Sequence, residues 1–394
     1  MRVALPRAPE LLACLALGAC TASGDRPGAE RLLPRGRLVE ELRIDGTREN
    51  LVPINGVGVG GDGSIAINQT QDRTIRFYTA RGEALGAFGR RGQGPGEFER
   101  VTRIGWVGDS LWALDGRAGR VTLISPERTY VRSWQLLDGA EPGPDLAGRL
   151  PRYRFVYPRA YYGDRSILAT AGTARGEATP AGYDELALPV LRIDSGGVIR
   201  KLLTLLPDDR GSLMYTTATS SGSAGIPFAA RRLESFALDG RWVVFATTDI
   251  DGPHANTFLV TMIDAEGDTV FSRRHPFAPV PIPRSVAESV IEAGVARAPN
   301  PEFAGLYRQM KIPPVYPPLD GLLVGRDGTV WVGLRATGAA GHPWLVLDRG
   351  GAVLDTIVIP RNAYPAVAEL GMLWTVESDE NDVESVVRYR IERR

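Results

Sequence analysis

The feature that most constrains this chain is a turn-and-strand signal that recurs six times. It reads Asp62-Gly63-Ser64-Ile65-Ala66-Ile67, Gly108-Asp109-Ser110-Leu111-Trp112-Ala113 and Gly163-Asp164-Arg165-Ser166-Ile167-Leu168 in the first half. The second half carries Asp239-Gly240-Arg241-Trp242-Val243-Val244, Asp327-Gly328-Thr329-Val330-Trp331-Val332 and Leu370-Gly371-Met372-Leu373-Trp374-Thr375. Gly and Asp supply the tight turn, and the apolar run after it is a strand. Trp112, Trp331 and Trp374 fall in one column, as a bulky layer packed between neighbouring repeat units requires. A second marker follows downstream, an apolar-Asp turn closed by Gly: Asp194 with Gly196, Asp264 with Gly267, and Asp348 with Gly350. Recurrence on this scale predicts a radial all-β repeat fold.

The two chain ends predict how the ring closes. The sixth unit stops at Val386–Ile391, where each earlier unit turns into a fourth strand, and a spare alternating strand runs over Leu38–Ile44. Pairing them removes two exposed edges. The expected fold is therefore all-β, a six-bladed β-propeller whose N-terminal strand completes the last blade.

The best-formed unit runs from Gly82 to Arg120. It has an apolar run (Ala84–Phe88), a corner rich in glycine (Gly89, Gly92, Gly94, Pro95, Gly96) and Phe98. Two further strands follow, one carrying Val101, Ile104 and Trp106 and the other running from Leu111 to Asp115. This corner, with the strand ending in Asp and the Gly-Arg-Val start of the next, resembles the NHL-repeat propellers, here in the form of a bacterial lipoprotein. The resemblance implies a fold more than a function.

Residues 1–19 read as a lipoprotein signal peptide: Arg2 and Arg7, a short apolar Leu11–Leu17 run, then Leu17-Gly18-Ala19-Cys20, which matches a lipobox. Lipidated Cys20 then anchors the chain to a membrane of the bacterial cell envelope, at the periplasmic face or in the outer membrane, the latter compatible with Thr21. Residues 20–36 are Gly, Pro and charge-rich, and are expected to be a flexible tether; residues 37–394 are expected to be the propeller. Cys14 leaves with the leader, so no mature thiol or disulfide is expected. Acidic and basic residues balance at 46 each, which offers nothing to nucleic acid.

Spacings between successive anchors grow from 46 and 56 to 75 and 88 residues before falling to 43, so the middle units carry insertions. Glu141–Arg152 reads as a Pro/Gly loop and Thr216–Pro227 as a mobile Ser/Thr/Gly loop. A helical insertion occupies 284–298, with Ser285 and Glu288 as a capping box and Val286, Val290, Ile291 and Val295 on one stripe, ended by Pro299 and Pro301. That stripe is a possible docking face for a protein partner.

No motif supplies a ready active site. The Gly56-Val57-Gly58-Val59-Gly60-Gly61 spacing precedes a strand, not the helix that a dinucleotide site needs. His254, His275 and His342 lack ligand spacing, and Asp249-Ile250-Asp251-Gly252 is only half a calcium loop. There is no G-x-S-x-G elbow.

What remains is the channel mouth, formed by residues just before each anchor: Arg103, Tyr157, Arg159, Glu234, Tyr316 and Asp320, with Asn55. Arg103 and Arg159 each stand seven residues before a serine of their anchors, so they are expected to project alike. Two guanidinium groups among tyrosines suit an anionic or sugar-like ligand, although pairing with Glu234 or Asp320 inside the tunnel accounts for them equally. The first functional reading is an envelope-anchored module that binds a small molecule, a carbohydrate or a protein, with no catalytic residues and no cofactor. The alternative resembles lactonase-like propellers, hydrolases or lyases whose channel holds a divalent cation such as calcium with Glu, Asn and Asp. Asn55, Glu234 and Asp320 are the residues that this resemblance would use.

Overall fold

Each of the six anchors begins the second strand of its own sheet, built on four antiparallel strands, with a fifth, parallel edge strand in blade 3, and the turn in front of it joins that strand to the innermost one. The computed structural model describes residues 36–393 apart from 52, 174–178, 185–186, 209–210, 217–220 and 336–340. The expected signal peptide, the lipobox at Cys20 and most of the tether lie outside the described residues. The innermost strands are Gly56–Val59, Val101–Val107, Phe155–Tyr161, Leu233–Phe236, Leu319–Val324 and Ala363–Glu369, one per blade. The chain is a six-bladed β-propeller.

Closure is as the chain ends predict. Gly36–Ile44 is the outermost strand of blade 6, antiparallel to Glu384–Arg393, with Leu38 opposite Ile391 and Ile44 opposite Val386. Pairing begins at Gly36, one residue earlier than the expected boundary. A polar tie fastens the seam: Glu377 accepts from Arg43 of the closing strand at 3.0 Å and from the Tyr389 hydroxyl at 2.6 Å.

The core is divided among the gaps between blades. Trp112 of blade 2 packs on Tyr161 and Ile167 of blade 3, Trp331 of blade 5 on Leu373 and Val387 of blade 6, and Trp374 of blade 6 on Val57 and Ile65 of blade 1. Smaller residues fill the remaining gaps, among them Ala66 with Ile104, Leu168 with Val243, and Val244 with Val330. Blade 4 departs from the common register. Its turn closes from Ala237 to Trp242, one residue longer than the Gly325–Thr329 turn of blade 5. In a strand, a one-residue shift turns every side chain to the other face. Val244, not Val243, therefore faces the next blade.

The insertions correct several expectations. The Thr216–Pro227 segment expected as a mobile loop contains a strand, Ser221–Gly225, paired antiparallel with Ser212–Thr216. Glu141–Pro142 adds a parallel edge strand to blade 3. Helix α1 spans Arg284–Arg297, but the expected capping box does not form: its N-cap is Pro283, so Ser285 sits inside the first turn, and Glu288 pairs with Arg284 at 2.7 Å. A second helix, α2 (Pro301–Gln309), was not expected. Pro301, read as a terminator, instead opens it at the first turn, where its missing N–H costs nothing, and the Asn300 side chain accepts from the Phe303 N–H at 2.7 Å. Hairpin and helices share a small core of Ala224, Leu306 and Met310, against which Ile291 of the α1 stripe also packs. No helix among the described residues is long and apolar enough to cross a membrane.

Candidate functional site: the axial channel

Inner strands converge on the axis, where no further blade can cover them. They leave a cavity of about 560 Å³ lined by residues of blades 1, 2, 4, 5 and 6, including Asn55, Arg103, Trp106, Phe236, Arg326 and Tyr364. Such a volume falls within the range of small-molecule sites.

Bulges in the inner strands, near the start in blades 2 and 5 and further along in blades 3 and 6, decide which side chains sit where. In blades 2 and 5 the unpaired residue is Thr102 or Asp320; in blades 3 and 6 it is Arg159 or Ala366. Blades three places apart thus share a bulge. This overturns the expectation that Arg103 and Arg159 project alike. Arg103 stays in the ladder opposite Leu114, whereas Arg159 is the extra residue between Pro158 and Ala160. The ladder equivalent of Arg103 in blade 3 is Tyr157, opposite Thr170, which is 53% exposed at the rim. A bulge re-aims its residue without changing the residue count that sequence spacing reads.

Arg159 and Glu234 meet as an ion pair at 3.3 Å, and Glu234 accepts from Arg232 at 3.1 Å with its other oxygen. Arg159 is further held by Thr170 Oγ1 at 3.2 Å and lies 4.8 Å over the Phe236 ring. Burial pushes its guanidinium down while Glu234 pulls it back up. Arg103 has no such support: among the described residues its side chain has no hydrogen bond and no ion pair. Burial, reinforced by the Arg159 charge and only partly offset by the more distant attraction of Glu234, pushes it down to about 10. It therefore stays charged at neutral pH, but at a cost in free energy.

The other expected residues lie apart from this group. Asp320 faces His342 at 3.6 Å, and burial raises its carboxyl despite that neighbour. Tyr316 packs edge-on against Phe228 at 5.0 Å and lies under Arg335 at 4.2 Å, at the base of the inserted hairpin and helices. Asn55 lines the channel and turns its amide toward the carbonyls of Val101 and Thr102. Asn55, Glu234 and Asp320 thus each have separate partners, and a divalent cation at Glu234 would face two guanidinium groups. That charge arrangement does not fit a cation site. Among the described residues no three His, Cys, Asp or Glu side chains gather into an ion-holding group. Trp106 and Tyr364 line the channel unforeseen; Trp106 was visible only as an apolar position in an alternating strand.

No family model and no curated protein sequence matches the chain. Solved structures do. A member of the DUF4221 family from Bacteroides vulgatus aligns at 11% identity over 92% of this chain and 99% of its own, with a TM-score of 0.50. A Bacteroides fragilis protein named for its inferred export aligns at 10% identity, over 91% and 96%, with a TM-score of 0.46. A gluconolactonase from Xanthomonas campestris aligns at 12% identity, over 91% and 90%, with a TM-score of 0.37. What is shared is the propeller. The finer likeness to NHL repeats rests on the Gly82–Arg120 residues alone.

Proposed function

We propose that this protein is an exported propeller, tethered to the bacterial envelope through Cys20, that binds a small anionic ligand in its axial channel. One observation carries the reading: Arg103 lines the cavity as a half-buried guanidinium with no hydrogen bond or ion pair among the described residues, beside an Arg159 that is already matched to Glu234. A charge partly withdrawn from water and left unpaired costs the fold free energy. A carboxylate or phosphate oxygen would complete it, and the Trp106, Phe236 and Tyr364 walls would exclude water around that contact. The location follows from the lipobox residues.

Cation-dependent hydrolysis is the weaker reading, since Glu234 is neutralised by Arg159 and Arg232. Titration calorimetry with gluconate and with inorganic phosphate tests the proposal. One saturable site is expected, weakened by added salt and lost in Arg103→Met. Equal binding by wild type and Arg103→Met would sink it. Calcium-dependent lactone turnover abolished by Glu234→Gln would replace it with the enzymatic reading.

A further inference from the structure

A second cavity, of about 370 Å³, opens in the groove between blades 2 and 3, away from the axis. Its lining includes Arg132, Trp134, Gln135, Tyr161, Arg165 and Asp194. Tyr161 is wedged between two indoles, 5.0 Å from the Trp112 ring and 5.6 Å edge-on from Trp134. It is 2% exposed, and its hydroxyl has no hydrogen-bond partner among the described residues. Buried hydroxyls are nearly always satisfied, so one left open beside a cavity needs an explanation.

The charges around it are equally open. Arg132 lies 5.6 Å over the Trp134 ring, and its Nε is buried without an acceptor among the described residues. Arg165 holds a left-handed backbone (φ 68°), and its side chain has no hydrogen bond or ion pair among the described residues. The one acid in the lining is already committed: Asp194 accepts from the Gly196 and Val198 amides and from Arg200. The cavity therefore offers two guanidinium groups, an indole and a phenolic donor, with no free carboxylate to oppose an anion.

We propose that this inter-blade groove is a binding site for an acidic sugar of the hexuronate type, one or two residues long. Its carboxylate meets Arg132 and Arg165, the C–H face of its ring covers Trp134, and a ring hydroxyl accepts from Tyr161. Guanidinium groups suit carboxylates, and an aromatic face beside polar donors separates a sugar acid from a simple anion. The inference is independent of the channel reading.

The test uses the folded chain, with tryptophan fluorescence and calorimetry against digalacturonate, galactose and benzoate. Digalacturonate should bind saturably and change the fluorescence, with galactose and benzoate each at least about tenfold weaker. Arg132→Gln and Arg165→Gln should each lose about tenfold or more. Tyr161→Phe keeps the ring and removes the hydroxyl; it should weaken digalacturonate binding several-fold while the unfolding midpoint stays equal or rises. A raised midpoint with unchanged binding would show that the hydroxyl is only a packing defect, and would overturn the inference. So would galactose or benzoate binding as tightly as digalacturonate, or no saturable binding at all. Arg103→Met should leave this binding intact; its loss there would place the ligand in the channel instead.

Discussion

The gaps between blades and the channel along the axis are built from the same inner and second strands, yet they have opposite character. In the closed gaps, side chains from two sheets interdigitate and exclude water, as where Trp331 lies fully buried with its indole N–H donated to Thr329 Oγ1 at 2.9 Å; the groove between blades 2 and 3 is the exception. At the axis the innermost strands meet no further sheet, and their polar side chains are left to satisfy one another. Arg159 succeeds through Glu234 and Thr170; Arg103 does not. Stability therefore resides in the closed gaps, and the axis, like the open groove between blades 2 and 3, is where this fold can keep a costly group for a ligand.

Four variants would break or sharpen that contrast, and the largest effect is expected from the seam. Deleting residues 36–44 strips the outer strand from blade 6 and exposes the layers to which Ile44, Leu42 and Leu38 contribute. It should remove most of the ~5–15 kcal/mol that stabilises a typical domain. Chemical denaturation followed by circular dichroism would then show a broad, early transition in place of a cooperative one. A sharp transition near the wild-type midpoint would mean that the ring does not depend on its seam.

Next come two single changes of opposite sign. Trp331→Ala empties a layer position and should cost about 3–5 kcal/mol. Arg103→Met removes a half-buried, unpaired charge and should stabilise the fold, by about 1 kcal/mol. The unfolded chain binds the Arg103 proton more tightly than the fold does, because burial lowers the folded value to about 10. Wild-type stability should therefore gain on that of Arg103→Met as pH rises above about 10, and the gap should be constant well below that value. Parallel urea titrations of both variants across pH read this directly. A destabilised Arg103→Met would mean that the guanidinium holds the channel together.

The smallest effect comes from a polar misfit inside a layer. His275 is buried in blade 4, stacked at 5.3 Å on Phe258, and its Nε2 has no partner among the described residues. Burial, with a smaller push from Arg273, holds its pKa below the usual 6.5. Protonation is thus easier in the unfolded chain, so stability should fall as pH drops below 6.5. His275→Leu should flatten that slope in thermal melts between pH 7 and 5. An unchanged slope would assign the acid sensitivity to other groups.

Ring size, closure and inter-blade packing were legible because they depend on local periodicity. Six Gly/Asp turns, a tryptophan column and two complementary chain ends repeat at readable spacings. The hairpin and α2 were less legible. Ser/Thr/Gly composition and a proline mark breaks equally well in a loop, at a strand end or at a helix start, and only the contacts among Ala224, Leu306 and Met310 select the outcome.

By itself, the sequence determined that turns and apolar alternation would build blades, and that the two chain ends would share the last one. Which channel residues pair and which stay open was decided by tertiary structure alone. A bulge at Thr102 or at Arg159 shifts a side chain by one position without altering the residue count, and the partner it then meets comes from another blade. That is why two arginines at the same offset ended differently, one shared with Glu234 and one left open to the cavity.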